Sequence, residues 1–96
     1  MRTIKKAKLM QISIQSIEIP EGSKFLDIKE MEDGIYLWIE CDPNKKNEKV
    51  TILCFGTGGL ILEKLIKGAK YIGTVPGAAE CPDLHYYYKK TKTKSA

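Results

Sequence analysis

A chain of 96 residues has room for one domain, and its 43% hydrophobic and 29% charged residues are typical of a globular protein. No apolar run approaches the roughly 20 residues that span a bilayer. The N-terminus lacks the apolar stretch of a signal peptide, so we expect a cytoplasmic protein without membrane contact. The net charge of +4 is peripheral, because residues 9–88 carry eight lysines against twelve acids. Nucleic acid therefore ranks low among the expected partners.

The first part of the chain predicts strands joined by turns. Residues 3–9 predict an edge strand because of their lysines. In Gln11–Pro20 the alternation of isoleucines shifts near Gln15-Ser16, which indicates a bulge or a turn there. Phe25–Met31 predicts a strand, and Glu32-Asp33-Gly34 predicts a type I′ hairpin turn after it.

The second part predicts more strands and the only helix. Apolar and polar residues alternate most regularly over Ile35–Asp42, and Lys49–Phe55 is apolar on both faces, as in a central strand. Leu60–Lys67 predicts a short amphipathic helix that Gly68 ends. Two further strands are predicted at Lys70–Val75 and Leu84–Lys89.

These elements predict a mainly β domain, at the margin of α+β. We expect a small antiparallel sheet or a partly closed barrel of about six strands with one short helix. The domain is predicted over residues 1–90, and residues 91–96 form a basic polar tail.

A run of glycines between a strand and the predicted helix could bind phosphate. Several N–H groups converge in such a loop, and a helix dipole favours an anion. The loop consists of Gly56, Thr57, Gly58 and Gly59. It is neither a P-loop nor a dinucleotide fingerprint, because no Gly-Lys-Ser/Thr follows and Ile61 stands where a third glycine is needed. A purely structural turn explains the glycines about equally well.

Aromatic residues near the end of the chain could stack on a ligand. On a strand, Tyr86 and Tyr88 face one side, and His85 and Tyr87 face the other. Trp38 could add a further ring, although a single strand tryptophan is usually a core residue.

Catalysis and metal binding find little support. The cysteines Cys41, Cys54 and Cys81 lack the close pair of a zinc site, so we expect no metal and no cofactor. His85, the only histidine, has neither a paired acid nor a serine near it in the sequence. We therefore expect a protein that is not an enzyme.

The order of short motifs resembles a family of short phage and prophage proteins, a domain of unknown function. The motifs are Ile19-Pro20-Glu21-Gly22, Ile35-Tyr36-Leu37-Trp38, Asp42-Pro43, Phe55-Gly56-Thr57-Gly58, Tyr71-Ile72-Gly73-Thr74 and Leu84-His85-Tyr86-Tyr87. Gly59 stands where the family often has histidine, and Leu84 where it commonly has tryptophan. The resemblance implies a viral origin, a compact β-rich fold and, by analogy with other small phage proteins, inhibition of a host system.

These observations together predict a non-enzymatic phage protein that sequesters a phosphate-bearing ligand, such as a cyclic nucleotide signal of host immunity. So small a domain would need a second subunit to enclose a nucleotide, so we expect a homo-oligomer. The predicted ligand-binding residues are Gly56, Thr57, Gly58, Gly59, Tyr71, Thr74, His85 and Tyr87. The alternatives are an inhibitor that docks on a host enzyme and, less favoured, a nucleic-acid-binding accessory protein.

Overall fold

The computed structural model describes residues 1–90, which form seven β-strands and one short helix. The elements are β1 (Thr3–Leu9), β2 (Ile14–Pro20), β3 (Lys24–Met31), β4 (Gly34–Cys41), β5 (Asn47–Gly56), α1 (Glu63–Ile66), β6 (Lys70–Val75) and β7 (Leu84–Lys90). The mainly β fold is confirmed. The predicted tail, residues 91–96, lies outside the described residues. No helix in residues 1–90 is long and apolar enough to cross a membrane.

The strands divide into two antiparallel sheets that pack face to face. A three-stranded sheet has the order β1-β4-β3, and a four-stranded sheet has the order β2-β5-β7-β6. β5 is central and β1 is an edge strand, as predicted. The two sheets form a sandwich rather than a closed barrel, since no strand of one pairs with a strand of the other.

The core lies between the sheets, because alternate residues of each strand face inward. The three-stranded sheet contributes Leu9, Ile28, Ile35, Leu37, Ile39 and Cys41, and the four-stranded sheet contributes Ile19, Val50, Ile52, Val75 and Tyr86. Burial of each large apolar side chain stabilises the fold by roughly 1.5–3 kcal/mol.

The two sheets approach closely at Gly73 in β6. A Cβ atom at this position would lie 2.9 Å from Cγ2 of Ile28 in β3, closer than packed atoms tolerate. The register of β6 against β7 also shifts between Tyr71 and Gly73. Glycine at position 73 therefore lets the irregular strand β6 pack tightly on the opposite sheet.

The bulge or turn predicted near Gln15-Ser16 is wrong. β2 begins at Ile14 and pairs with β5 without interruption. Ile17 and Ile19 face the core, whereas Ile14 faces outward and Ile12 precedes the strand. The alternation shifts because Ile14 lies on the outer face of β2 whereas Ile17 and Ile19 lie on its inner face. The backbone of β2 itself is regular.

The hairpin between β3 and β4 is confirmed, but its type I′ turn is wrong. Met31 pairs with Gly34, so Glu32 and Asp33 form the turn. A type I′ turn needs a positive φ at both of these residues. In the described chain only glycines have a positive φ, and here Gly34 takes it, with φ 145°.

The helix is shorter than predicted. It covers only Glu63–Ile66 and has Leu62 at its N-cap, with no side-chain cap hydrogen bond. Leucine is a poor N-cap residue because it cannot accept a hydrogen bond from the first turn. Gly68 follows with φ 79°, as expected for a residue that ends a helix.

Candidate functional site

The predicted site residues lie largely on the outer face of the four-stranded sheet. The register places His85 between Phe55 and Thr74, and it places Tyr87 between Leu53 and Tyr71. Directly paired residues share a face, so these side chains form two neighbouring rows. The predicted alternation in β7 is confirmed, since Tyr86 is buried in the core and Tyr88 packs against it.

A continuous chain of side-chain hydrogen bonds crosses this face, and we call it the hydroxyl–imidazole chain. Oγ1 of Thr57 lies 2.6 Å from Nε2 of His85, and Oγ1 of Thr74 lies 3.0 Å from Nδ1 of the same ring. The hydroxyl of Tyr71 is hydrogen-bonded to Oγ1 of Thr74. Four predicted site residues are therefore directly linked through the histidine.

The backbone holds Thr57 in place for this contact. Its N–H donates to the carbonyl of Asp83 at 2.9 Å. The Asp83 carboxylate accepts from the N–H of Gly77 at 2.8 Å, which ties the loop before β7 to the end of β6. These two hydrogen bonds of Asp83 therefore hold Thr57 beside His85.

Aromatic rings border the hydroxyl–imidazole chain. The ring centroids of Tyr71 and Tyr87 are 5.4 Å apart in an edge-to-face arrangement, and those of Phe55 and Tyr87 are 5.9 Å apart. Tyr71 is 55% exposed, and Tyr87 is half-buried. Leu53, in the same row as Tyr87, is buried, so this face is exposed mainly at Tyr71, whose ring lies directly beside the hydrogen-bonding groups.

The glycine loop is a tight turn rather than an open ring of amides. The N–H of Gly59 donates to the carbonyl of Gly56 at 3.0 Å, and Gly58 has φ 86°. With the N–H of Thr57 also paired, the amides of Gly58 and Leu60 have no acceptor within residues 1–90. No helix starts at the loop, since α1 begins at Glu63. Phosphate binding by these glycines stays a prediction.

The direct contact between Thr57 and His85 was not predicted, because 28 positions separate the two residues. A hydroxyl beside an imidazole nitrogen is the geometry of a nucleophile and its base. Here the second ring nitrogen faces the Thr74 hydroxyl. A hydroxyl holds the tautomer, but unlike a carboxylate it carries no charge to stabilise an imidazolium. The Thr57–His85 pair therefore lacks the charged orienting group of a catalytic triad.

Apart from this face, a cavity of about 420 Å³ opens at one end of the sandwich. Its lining includes Cys54 and Tyr86, which are hydrogen-bonded to each other. Burial raises the pKa of the Cys54 thiol and, together with this hydrogen bond, the pKa of the Tyr86 hydroxyl. Both groups are therefore protonated at neutral pH and supply no anion or nucleophile.

The cysteines occupy different environments. Cys41 is buried, Cys54 is half-buried and Cys81 is exposed, and all three are free thiols. Within residues 1–90, no three His, Cys, Asp or Glu side chains come together as a metal-binding group.

The comparisons with known proteins identify a family. A family model described as a domain of unknown function (DUF7352) matches residues 1–96, so the chain belongs to that family. No curated protein matches the chain, and no solved structure matches it.

Proposed function

We propose that this domain binds a phosphate-bearing small molecule, of which a nucleotide fits best, on the outer face of the four-stranded sheet. The observation that supports this proposal is the hydroxyl–imidazole chain beside the exposed Tyr71 ring and the half-buried Tyr87 ring. The rings would stack on a base, and the imidazole and hydroxyls would hydrogen-bond to phosphate or sugar. We expect the ligand to be held without being chemically changed.

A cation on the same face supports the phosphate part of the proposal. Lys89 follows Tyr87 by two positions in β7, so its side chain points outward as well. Its Nζ donates to the carbonyl of Lys67 at 3.2 Å. An ammonium group has three donors, so this bond leaves others for a phosphate oxygen.

The biological part of the proposal depends on the sequence resemblance to phage proteins. We propose that the protein acts in the cytoplasm of a bacterial host, where it sequesters a nucleotide signal of host immunity, such as a cyclic nucleotide. The outer face of the four-stranded sheet can cover only one side of such a ligand, so we also propose that a second copy of the protein covers the other side. Light scattering with and without ligand tests this assembly, and a monomer in both states would contradict it.

Calorimetry with linear nucleotides and cyclic di- and trinucleotides tests the binding site. Tyr71→Ala is expected to weaken binding about tenfold, because stacking on one ring contributes roughly 1–3 kcal/mol. His85→Ala should weaken it by a similar factor. Met31→Ala is the control, because Met31 is exposed at the end of β3 in the other sheet. The absence of any binder, or equal losses in Tyr71→Ala and Met31→Ala, would refute the proposal.

Mass spectrometry of the recovered ligand separates binding from catalysis. We expect the nucleotide to be released intact after prolonged incubation with the protein. A product that forms with wild type but not with Thr57→Val would instead make the Thr57–His85 pair catalytic.

A second function, inhibition of a host enzyme by docking, is favoured by one exposed apolar cluster. Ile14, Leu60 and Leu62 line a shallow groove of about 260 Å³ next to Phe55. Their exposed fractions are 48%, 93% and 63%, which is unusual for apolar side chains that lie side by side on a surface. Capture of a stoichiometric host protein by wild type but not by Leu60→Asp would support this function over nucleotide binding.

A further inference from the structure

We propose that the outer face of the three-stranded sheet binds single-stranded nucleic acid, by stacking bases on Trp38 and Tyr36 between flanking lysines. This surface is distinct from the proposed nucleotide site and lies on the opposite side of the sandwich. We call it the aromatic–basic face. Its outward residues are Ile4, Lys6, Lys8, Lys24, Asp27, Lys29, Tyr36, Trp38 and Glu40.

The two rings occupy the middle strand of this face. Trp38 and Tyr36 alternate with core residues in β4, so both point away from the other sheet. Their centroids are 6.3 Å apart and both side chains are only half-buried. Because Trp38 points away from the other sheet, it does not belong to the core between the sheets. Each of the two rings can therefore stack on its own base.

Lysines flank the rings on both neighbouring strands. The register pairs Tyr36 with Lys8 on β1 and with Lys29 on β3, and it pairs Trp38 with Lys6 on β1. Nζ of Lys6 lies 4.6 Å from the centroid of the Tyr36 ring. The cations therefore lie where the phosphates of a strand crossing the rings would pass.

Carboxylates on this face lower its positive charge without removing it. Asp33 pairs with Lys8 at 3.8 Å, and Asp27 pairs with Lys29 at 3.7 Å. These side chains are all more than half exposed, so their ion pairs are weak and can exchange for phosphate.

A third pair joins Arg2 to Glu40 at 2.7 Å. Lys6 and Lys24 have no carboxylate partner within residues 1–90. With Arg2, which lies just before β1, this region has five cations: Arg2, Lys6, Lys8, Lys24 and Lys29. Only three carboxylates pair with them, those of Asp27, Asp33 and Glu40. Charge complementarity therefore favours a polyanion as the occupant. Unpaired bases are needed for stacking, which favours a single strand over a duplex.

Fluorescence provides a direct readout, because Trp38 is the only tryptophan in the chain. Titration with an unstructured oligothymidine should quench Trp38 emission, and the quenching should decrease as salt is added. Nucleotides that bind the opposite face should leave this emission unchanged. The two proposals can therefore fail independently.

Charge-reversal variants locate the site. We expect Lys6→Glu/Lys29→Glu to weaken oligonucleotide binding at least about tenfold and to lower the salt slope by about 1.4, for two lost phosphate contacts. Lys64→Glu/Lys67→Glu changes the charge equally but at helix α1, next to the four-stranded sheet, and it should bind almost as wild type. Circular dichroism checks that each variant is folded.

Three outcomes would overturn this proposal. The first is an unquenched Trp38 at low salt. The second is an equal loss in both charge-reversal pairs, which would indicate non-specific attraction. The third is concentration-dependent self-association that Trp38→Ala abolishes, which would assign this face to a second copy of the chain.

Discussion

The two outer faces of the sandwich both present aromatic rings, but in different electrostatic surroundings. On the four-stranded sheet, Tyr71 and Tyr87 adjoin a hydrogen-bonded chain of hydroxyls and an imidazole. On the three-stranded sheet, Tyr36 and Trp38 lie among exposed lysines and their ion pairs. The same strand alternation produces both faces, so the difference comes only from the outward residues.

The two faces suit different ligands. A connected chain of hydrogen bonds holds donors and acceptors in fixed directions, which suits one small ligand of defined shape. Exposed lysines are long, mobile and screened by salt, which suits the repeating charge of a polymer. We therefore expect the four-stranded face to be selective and the aromatic–basic face to be tolerant of sequence.

The largest expected effect comes from Gly73→Ala, which disturbs the packing between the two faces. The added methyl would meet Cγ2 of Ile28 at 2.9 Å, so β6 or Ile28 must shift. We expect the free energy of unfolding to fall by about 1–3 kcal/mol, as measured by urea denaturation. Because β6 carries Tyr71 and Thr74, nucleotide binding should weaken while Trp38 quenching is retained.

A double-mutant cycle with Ile28→Ala provides the control for Gly73→Ala. Removing the side chain that the methyl meets should make the double variant less destabilised than the sum of the single changes. Additive losses in the free energy of unfolding would show that the added methyl does not clash with Ile28.

The second effect concerns pH and the buried Tyr86, which lies between the faces. Its pKa is raised in the folded state, so above pH 10 the unfolded chain loses a proton that the folded chain retains. The stability that Tyr86 contributes is fully present below this pH and then falls by up to about 1.4 kcal/mol per pH unit. Tyr86→Phe should reduce the alkaline decrease in urea denaturation, and the raised pKa of the Cys54 thiol accounts for the decrease that remains. An unchanged alkaline decrease in the variant would assign it to another group.

The third effect tests the hydroxyl–imidazole chain. Thr74→Val keeps the shape of the side chain but removes the hydroxyl beside His85. We expect a loss of about 0.5–1.5 kcal/mol in the free energy of unfolding. Thr3→Val, at an exposed position of β1, is the matched control and should change little. Equal values for both would mean that the chain contributes nothing to stability.

The smallest effect tests the ion pairs of the aromatic–basic face. Lys29→Ala should lower stability by less than about 0.5 kcal/mol, because its pair with Asp27 is exposed and screened. Lys90→Ala provides the comparison, since its partner Glu48 is only 23% exposed and lies 3.4 Å away. We expect a larger loss there, in urea denaturation at low and high salt. The reverse order would contradict the view that the face has loosely held charges.

Local sequence determined most of the strands and which residues share a face of each strand. Period-two alternation placed His85 and Tyr87 opposite Tyr86 in β7, because successive side chains of a strand always point to opposite sides. Lys49–Phe55 was correctly placed in a sheet centre, since a strand covered on both faces is apolar on both. The hairpin at Glu32–Gly34 was predicted from Asp-Gly, although Glu32 and Asp33 form its turn and Gly34 only follows it.

Only the tertiary structure decided how the strands divide into two sheets and what each outward residue meets. Strand alternation is the same in a single sheet, a barrel and a sandwich, so the sequence left the architecture open. The contact of Thr57 with His85 joins residues that lie far apart in sequence, and no local pattern encodes such a distance. For the same reason, Trp38 could not be told from a core residue until the structure showed that no other part of residues 1–90 packs over its face as a second layer.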